Sequence, residues 1–276
     1  MYADDTTISV SGTSKQEIEV QLNDVLKVVN EWTVKNKLLM NLKKTKVMMI
    51  GTKQRCNNLP DTNLNVKLNN VTVECVNEAK CLGVTLDSHL TFNSHVNSIA
   101  KVVKQKIGVL RRLRNHFSSR QLSSLYWGYV LPHILYCANV WSGRSKQNYD
   151  TLNKLHKRAA YMVSKKTWLT PSSEVLNELS WPSLEKLLWK ASCCMVYKCV
   201  KQLTPQIIYD KLTFSDDVKS RHTRDTGKML LRPPHCRTEF YKRSFFVSAC
   251  DNWNNLPLTV KESPSITSFK KNLNAI

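Results

Sequence analysis

The chain has 276 residues, 42% of them hydrophobic, and its 41 Lys and Arg against 21 Asp and Glu give a formal net charge of +20. This length and composition predict a globular protein of roughly two domains rather than a disordered chain. No apolar run reaches the roughly 18 residues of a membrane span and no secretory leader is recognisable, so we expect an intracellular protein, nuclear or cytoplasmic, with no membrane partner.

The nine cysteines indicate reduced thiols. Their number is odd and they form no Cys-x-x-Cys pair, which argues against both a disulfide framework and a zinc site. Cys193 and Cys194 lie in an apolar run with helical character, where small thiols are ordinary packing residues.

The first predicted element is an acidic turn. Asp4 and Asp5 precede a β-branched run, Thr6 to Val10, that predicts a strand. Adjacent carboxylates on a tight turn can hold divalent cations for nucleotidyl transfer, because hard oxygen ligands suit Mg²⁺. Most Asp-Asp pairs are simply solvated, as we expect for Asp216-Asp217 in a polar loop. Both interpretations stay open at this point.

The first 90 residues predict a mixed α/β region. Ser14 to Glu17 fits a capping box, and a helix runs from there to about Asn36. Residues 47–51 and 81–86 predict strands, and residues 66–73 predict a hairpin with an Asn-Asn turn. We expect the helix to pack on the sheet that carries the acidic turn. Its predicted buried stripe consists of Ile18, Leu22, Val25, Val29 and Trp32.

A long basic segment follows. Residues 88–173 contain 14 Lys and Arg but a single acidic residue, Asp150. Solvated surfaces usually mix both signs of charge, so this run predicts a surface that faces a polyanion. Nucleic acid is the natural partner, because each neutralised phosphate releases condensed counterions.

One helix of this segment is predicted to be apolar on one side and basic on the other, with Asn93 or Ser94 as its N-cap. Such a helix suits contact with a phosphate backbone without base readout. The alternative is an ordinary solvated face. The apolar stripe consists of Val96, Ile99, Val103, Ile107, Leu110 and Phe117, and the candidate nucleic-acid-binding residues are Lys101, Lys104, Arg111, Arg112 and, beyond the helix, Arg120.

Downstream, residues 121–131 predict a helix that Pro132 interrupts, residues 135–141 continue the apolar run, and residues 148–165 and 184–200 predict two further helices. The tail from 214 to 235 predicts an exposed basic loop. In the 148–165 helix we expect Leu152, Leu155, Ala159 and Met162 to face inward and Lys154, Lys157 and Arg158 to face outward.

Four strings occur in an order known from one polymerase family. The segment Tyr2-Ala3-Asp4-Asp5 resembles the metal-binding motif of reverse transcriptases. The segment Asn41-Leu42-Lys43-Lys44-Thr45-Lys46 resembles the next palm motif. Cys81 to Asp87, with Leu82 and Gly83, is similar to the strand and turn that lead from palm to thumb in non-LTR retrotransposon polymerases. Trp253-Asn254-Asn255-Leu256-Pro257, followed by Ser265 to Lys270, resembles the tail of the jockey-like branch.

The resemblance implies an α+β fold in three segments. A partial polymerase palm, a small antiparallel sheet with a packed helix, covers residues 1–90. A mostly helical thumb and connection covers 91–213, and a basic loop and C-terminal tail cover 214–276. The implied activity is RNA-directed DNA polymerisation, with an RNA template and DNA primer duplex and a deoxynucleoside triphosphate as partners. Asp4 and Asp5 would be catalytic ligands of Mg²⁺ or Mn²⁺.

The family pattern also contains parts that would precede Tyr2: a further metal-ligand aspartate, the fingers and a glycine-rich template-contacting segment. An incomplete carboxylate set binds two metals poorly. We therefore expect weak metal binding and no polymerisation by this polypeptide alone.

Lys44 has two interpretations. By resemblance, its ammonium would lie near the triphosphate and steady or protonate the departing pyrophosphate. Equally, Lys43, Lys44 and Lys46 form a polar turn before a strand. Both interpretations stay open.

Three functions are consistent with the sequence. The leading one is the C-terminal part of a reverse transcriptase. The second is a non-enzymatic nucleic-acid-binding remnant of a transposon, in which the aspartates are idle. The third is a helical interaction protein whose charge keeps it soluble.

Overall fold

The computed structural model describes residues 5–57, 63–143, 145–215 and 227–276. It divides into a first unit that ends at Phe92 and a second that begins at Asn93. Both contain helices and short strands, which is compatible with the α+β class, while the assignment of palm, thumb and tail stays a prediction. Tyr2, Ala3, Asp4 and the Asp216-Asp217 pair lie outside the described residues.

The first unit is organised by helix α1 (Lys15–Lys35). Its N-cap Ser14 accepts a hydrogen bond from the Glu17 amide at 3.2 Å, as predicted. The Glu17 carboxylate accepts a hydrogen bond from the Thr13 amide at 2.7 Å, and this bond lowers the pKa of Glu17. The start of α1 is therefore set locally, by side chains that satisfy free backbone amides.

Side chains of α1 also hold the edge of a hairpin. The side-chain oxygen of Asn23 accepts a hydrogen bond from the Lys67 backbone amide at 2.9 Å. The side-chain nitrogen of Asn23 donates to the Asn65 backbone carbonyl at 3.0 Å. Glu19 accepts from the Asn65 amide at 2.8 Å. These bonds occupy backbone groups that an edge strand would otherwise leave unpaired. The apolar core beside them consists of Val47, Leu64, Val66, Leu68 and Val73, packed by Ile18, Leu22 and Leu26.

The prediction that Trp32 belongs to the buried stripe of α1 is wrong. Trp32 is 53% exposed, whereas Val25 and Val29 are half-buried. The strands beneath α1 are only two residues long, so within the described residues the apolar core contacts the first turns of the helix and not the last.

The strands of the first unit are short. β1 (Lys46–Val47) pairs in parallel with β4 (Glu74–Cys75), and the Lys46 amine bonds to the Glu74 carboxylate. β2 (Lys67–Leu68) and β3 (Val71–Thr72) form the predicted antiparallel hairpin, with Asn69 and Asn70 both at positive φ. This conformation is the one that a two-residue hairpin turn requires and that Asn tolerates. A five-residue helix, α2 (Lys53–Asn57), lies between β1 and β2.

Three strand predictions need correction. Of residues 47–51, only Val47 belongs to a strand, β1. Residues 81–86 are not one strand, because the chain reverses at Leu82-Gly83 to pair β5 (Glu78–Cys81) with β6 (Val84–Asp87). Both turn residues have positive φ, 45° and 85°. The run Thr6 to Val10 is irregular. A strand needs a partner for its backbone groups, and the structure describes no such partner along this run.

The second unit is mainly helical. Its strands β7 (Thr213–Phe214) and β8 (Leu231–Arg232) pair antiparallel. The predicted helices over 148–165 and 184–200 are confirmed to within two residues. The helices are α3 (Asn93–Leu113), α4 (Ser119–Leu125), α5 (Leu131–Leu135), α6 (Ala138–Trp141), α7 (Lys146–Ser164), α8 (Ser172–Glu178), α9 (Leu184–Val200), α10 (Gln206–Tyr209), α11 (Glu239–Lys242), α12 (Phe245–Asn254), α13 (Leu258–Lys261) and α14 (Ile266–Asn274).

The predicted break at Pro132 is wrong, because helical structure continues from α4 through a π-helical turn, Tyr126–Val130, into α5. Pro132 lies in the first turn of α5. Proline lacks an amide hydrogen and its ring crowds the carbonyl four residues earlier, so the hydrogen-bond register widens just before it.

A buried polar cluster joins the π-helical turn, α7 and the residues just before α9. His156 is fully buried, its Nε2 donates to the Pro182 carbonyl at 3.0 Å, and its Nδ1 accepts from the Tyr126 hydroxyl at 2.6 Å. Tyr126 stacks on Trp181 with ring centroids 4.2 Å apart. Because both ring nitrogens of His156 are committed, this arrangement suits the neutral imidazole.

The C-terminal residues pack on α9. Trp253 is fully buried and donates to the Met229 carbonyl at 2.8 Å, and the Asn254 side chain donates to and accepts from the Leu231 backbone at 2.8 Å each. Phe269 stacks on Tyr197 at 4.4 Å. The string Trp253-Asn254-Asn255-Leu256-Pro257 thus has a structural role, since it holds β8 against α12.

All nine cysteines are free thiols, as predicted. Cys193, Cys199 and Cys250 belong to the core around α9. Burial raises the pKa of Cys193 to about 12 and that of Cys250 to about 11. These thiols therefore act as small apolar side chains.

The buried histidine predicts a pH dependence of stability. Burial lowers the pKa of His156 below its usual 6.5, and the nearby Lys157 adds to this effect against the bond to Pro182. The unfolded state then binds more protons, so stability is lost as the pH falls below about 6.5, by up to ~1.4 kcal/mol per pH unit, until the folded pKa is reached. Thermal unfolding between pH 7.5 and 5 measures this loss.

His156→Gln should be less stable at pH 7.5 but should show a shallower loss of Tm on acidification. The matched control is His235→Gln, because His235 is exposed. Equal pH slopes for the wild type and His156→Gln would contradict the prediction.

Candidate nucleic-acid interface

The acidic turn is described only from Asp5 onward, and Asp5 is exposed. Within the described ranges no group of three or more His, Cys, Asp or Glu side chains could hold a metal ion. A single exposed carboxylate does not fit Mg²⁺, which needs several oxygen ligands in octahedral geometry. The described residues therefore do not form a metal site, and the roles of Asp4 and Asp5 stay predictions.

The Asn41 to Thr45 string forms a turn before β1. The Asn41 carbonyl accepts hydrogen bonds from the Lys44 amide at 3.0 Å and from the Thr45 amide and hydroxyl at 2.9 Å each. The Asn41 side chain also accepts from the Lys44 amide at 3.2 Å. Asn41 and Thr45 are thus explained by local backbone bonding. Lys44 itself points to solvent, so both interpretations of its amine remain.

Asp87 holds the loop that follows β6, a role that the sequence analysis missed. Its carboxylate accepts from the amides of His89, Thr91 and Phe92 at 3.1, 3.0 and 2.6 Å, and from the Thr91 hydroxyl at 3.1 Å. Burial alone would raise the pKa of Asp87, but these bonds outweigh it and the pKa is lowered. The carboxylate keeps Leu90 and Phe92 at positive φ. An Asp followed by a polar Ser-His pair is the sequence signal.

Helix α3 has the two predicted faces. Val96, Ile99, Val103, Ile107 and Leu110 are buried, while Phe117 lies beyond the helix and is half-buried. The predicted basic residues of α3 are all exposed, and their separations of three, seven and eleven residues place them on one side of a helix with 3.6 residues per turn. They are Lys101, Lys104, Arg111 and Arg112.

A groove lies between α3 and α7. Lys104 and Arg111 line it from α3, and Arg158 lines it from α7. None of the three forms an ion pair among the described residues. Its volume is about 150 Å³, and its apolar lining comes from Ile107, Leu155 and Met162, with Gly108 between the charges. The groove thus brings Lys104 and Arg111, two of the predicted nucleic-acid-binding residues, together with Arg158 of another helix, for which the sequence predicts only an outward-facing side chain.

Other basic residues of the segment are placed differently. The Lys106 amine donates to the Tyr129 carbonyl at 3.0 Å and lies 3.3 Å from the centre of the Tyr129 ring. The Lys106 amine therefore binds Tyr129 and does not line the groove. Arg120 is exposed in the first turn of α4 and does not line the groove. Lys101 and Arg112 share the outward side of α3 but lie outside the groove lining.

The inward and outward residues of α7 follow the prediction with one difference. Leu152, Leu155 and Ala159 are buried and Lys154 and Arg158 are exposed, whereas Lys157 is half-buried. Met162 is half-buried in the groove wall. The groove therefore has a cationic rim and an apolar wall. Such a surface is chemically complementary to the phosphates and sugars of a nucleic-acid strand.

Comparison with known proteins finds relatives among retrotransposon polymerases. The chain is 26% identical over 188 residues to a probable RNA-directed DNA polymerase from transposon BS of Drosophila melanogaster, covering 67% of this chain and 20% of that protein. It is 25% identical over 211 residues to a retrovirus-related Pol polyprotein from type-1 retrotransposable element R1 of Nasonia vitripennis, covering 72% and 59%. It is 25% identical over 191 residues to the RNA-directed DNA polymerase from mobile element jockey of Drosophila funebris, covering 66% and 20%.

No family model and no solved structure matches the chain. Its homologues are RNA-directed DNA polymerases of non-LTR retrotransposons, which confirms the resemblance seen in the motifs. The chain spans between about a fifth and three fifths of the length of these relatives. In the described residues, no helix is both long and apolar enough to cross a membrane.

The Asp87 loop gives a stability prediction. Asp87→Ala should destabilise the first unit by about 2 kcal/mol, because it removes several hydrogen bonds to a charged group. Since the folded pKa is lowered, the contribution of Asp87 is present above about pH 4 and is lost as the pH falls through the folded pKa. Urea unfolding followed by circular dichroism measures the change. Asp24→Ala, at an exposed carboxylate that pairs with the exposed Lys27, should change stability by less than ~0.5 kcal/mol, and equal effects would contradict the role of Asp87.

Proposed function

We propose that the chain is the C-terminal part of a non-LTR retrotransposon reverse transcriptase, and that its second unit binds the duplex of RNA template and DNA primer. The groove between α3 and α7 carries this proposal. It gathers Lys104, Arg111 and Arg158 on two helices, at a place where the described residues supply no acidic partner. The homologues independently favour nucleic-acid partners.

The proposed mode of binding is contact with the phosphate backbone. Lys and Arg on a helix face can neutralise phosphates without contacting base edges, so the contact is independent of sequence. A polymerase needs this property, because the duplex that it holds changes with every nucleotide added. Lys101 and Arg112 extend the same side of α3 and would contact phosphates beyond the groove. Arg120 is a further candidate contact.

For the intact polymerase, we assign Asp4 and Asp5 as ligands of Mg²⁺ or Mn²⁺ and Lys44 as a group near the triphosphate. These roles rest on the family resemblance alone, since the described residues complete no metal site. Nucleotidyl transfer would therefore require a complete set of metal-ligand carboxylates, which the described residues do not form.

A second candidate function is binding without catalysis. The groove is formed entirely within the second unit, so nucleic-acid binding does not require the acidic turn. A transposon remnant that only binds nucleic acid would have the same groove. The two functions differ in whether the acidic turn contributes to nucleotide addition.

Removing the groove charges should weaken binding of an RNA/DNA duplex. The triple variant Lys104→Gln, Arg111→Gln, Arg158→Gln should reduce the slope of log affinity against log salt by about 2 to 3, since each neutralised phosphate contributes roughly 0.9. Fluorescence anisotropy over a salt series measures the slope. The matched control Lys211→Gln, Arg232→Gln, Arg237→Gln removes the same charge from exposed residues elsewhere in the unit. Equal loss of slope in both variants would show that only net charge matters, and would reject the groove.

Primer extension tests the catalytic part of the proposal. The 276-residue chain should not extend a DNA primer on an RNA template with Mg²⁺, whereas a longer polymerase that includes the relatives' upstream region should. Asp4→Ala and Asp5→Ala should abolish extension by the longer protein, and Lys44→Ala should slow it. Extension by the 276-residue chain that Asp5→Ala abolishes would refute the predicted inactivity, and full activity of the longer Lys44→Ala protein would remove the role of Lys44.

A further inference from the structure

We propose that Gly108 is the point where the sugar-phosphate backbone of the bound strand comes closest to helix α3. This inference rests on the proposed nucleic-acid binding and adds the position and the chemical class of the contact. It assigns the groove to a phosphate and its sugar rather than to a base.

Gly108 has no structural explanation within the described fold. It lies inside the 21-residue helix α3, where glycine is the least favourable residue after proline. Glycine is required where another group approaches the backbone closely or where φ is positive. Apart from the backbone of α3 itself and the two adjacent residues, a Cβ atom added at Gly108 would meet no heavy atom of the described residues within 4 Å, and Gly108 is not among the positive-φ glycines. Alanine would therefore fit without strain.

The residues around Gly108 indicate the chemical class of a ligand that would lie against it. Lys104 lies one turn before it and Arg111 one turn after it, on the same side of α3, and Arg158 faces the groove from α7. Three cations thus surround a strip of helix without a side chain. The adjoining Ile107, Leu155 and Met162 provide an apolar wall.

The size and chemistry of the groove favour a strand backbone. Its volume of about 150 Å³ is below the roughly 300 Å³ of ordinary ligand pockets, and suits a phosphate with its sugar better than a partner helix. The phosphate would contact the cations and the sugar would contact the apolar wall. The missing methyl group at Gly108 lets the strand approach closely enough for Lys104 and Arg111 to reach neighbouring phosphates.

The test is a substitution with opposite effects on stability and binding. Gly108→Ala should raise the Tm by roughly 2–4 °C, because alanine favours the helix and meets no neighbour. The same variant should bind an RNA/DNA duplex roughly tenfold more weakly at fixed salt, the loss of about one charge-assisted contact. Gly108→Gln, which places a longer side chain in the groove, should lose more affinity than Gly108→Ala while remaining folded by circular dichroism.

The matched control is Gly128→Ala. Gly128 is also exposed, its added Cβ would also meet nothing described within 4 Å, and it does not line the groove, so duplex affinity should be unchanged. If the wild type binds with salt sensitivity but both Gly108 variants bind equally well, this inference is overturned and the proposed function stands. A lower Tm for Gly108→Ala would overturn the claim that packing does not require glycine. If the wild type does not bind the duplex, the proposed function fails and the inference fails with it.

Discussion

The burial of one side of α3 against α7 and its neighbours is the constraint on which the second unit depends. Val96, Val103 and Leu110 are almost fully buried, and this sets the rotation of α3 about its axis. A helix with 3.6 residues per turn must then expose residues three and four apart on the other side. Lys104, Gly108 and Arg111 are exposed for this reason. Any other rotation would bury charges without partners, at a cost of several kcal/mol.

The same packing brings a third charge into place. α7 buries Leu152, Leu155 and Ala159, and this rotation directs Arg158 toward the groove. Two independent apolar stripes therefore place three cations at one groove, where the described residues offer none of them an ion pair. Like charges repel one another, so the packing of the two apolar stripes has to hold these three side chains at one groove. The His156 cluster behind α7 is fully hydrogen-bonded and so stabilises the helix that carries Arg158.

The residues that resemble family motifs divide into two groups. Asn41, Thr45, Leu82 and Gly83 form turns, and Trp253 and Asn254 anchor the C-terminal residues to β8. Their presence is explained by local backbone geometry and packing, whatever the chain binds. The roles of Asp4, Asp5 and Lys44 stay predictions that rest on the family resemblance, and Lys44 is equally explained as part of the turn before β1. The groove belongs to neither group, because no motif predicted it.

The sequence alone determined the elements whose pattern is local. The 3.6-residue periodicity predicted α3 and α7 with their buried faces, the apolar run predicted the extent of α9, and Asn69-Asn70 predicted the β2–β3 hairpin, because these signals depend only on neighbours in the chain. Tertiary structure decided what depends on distant partners: Trp32 is exposed because the core beneath α1 is short, and residues 81–86 reverse at Leu82-Gly83 because β5 supplies the pairing strand. It also decided that Arg158 meets Lys104 and Arg111 beside Gly108. A helix pattern identifies which face is buried, but only long-range packing determines which two faces share a groove.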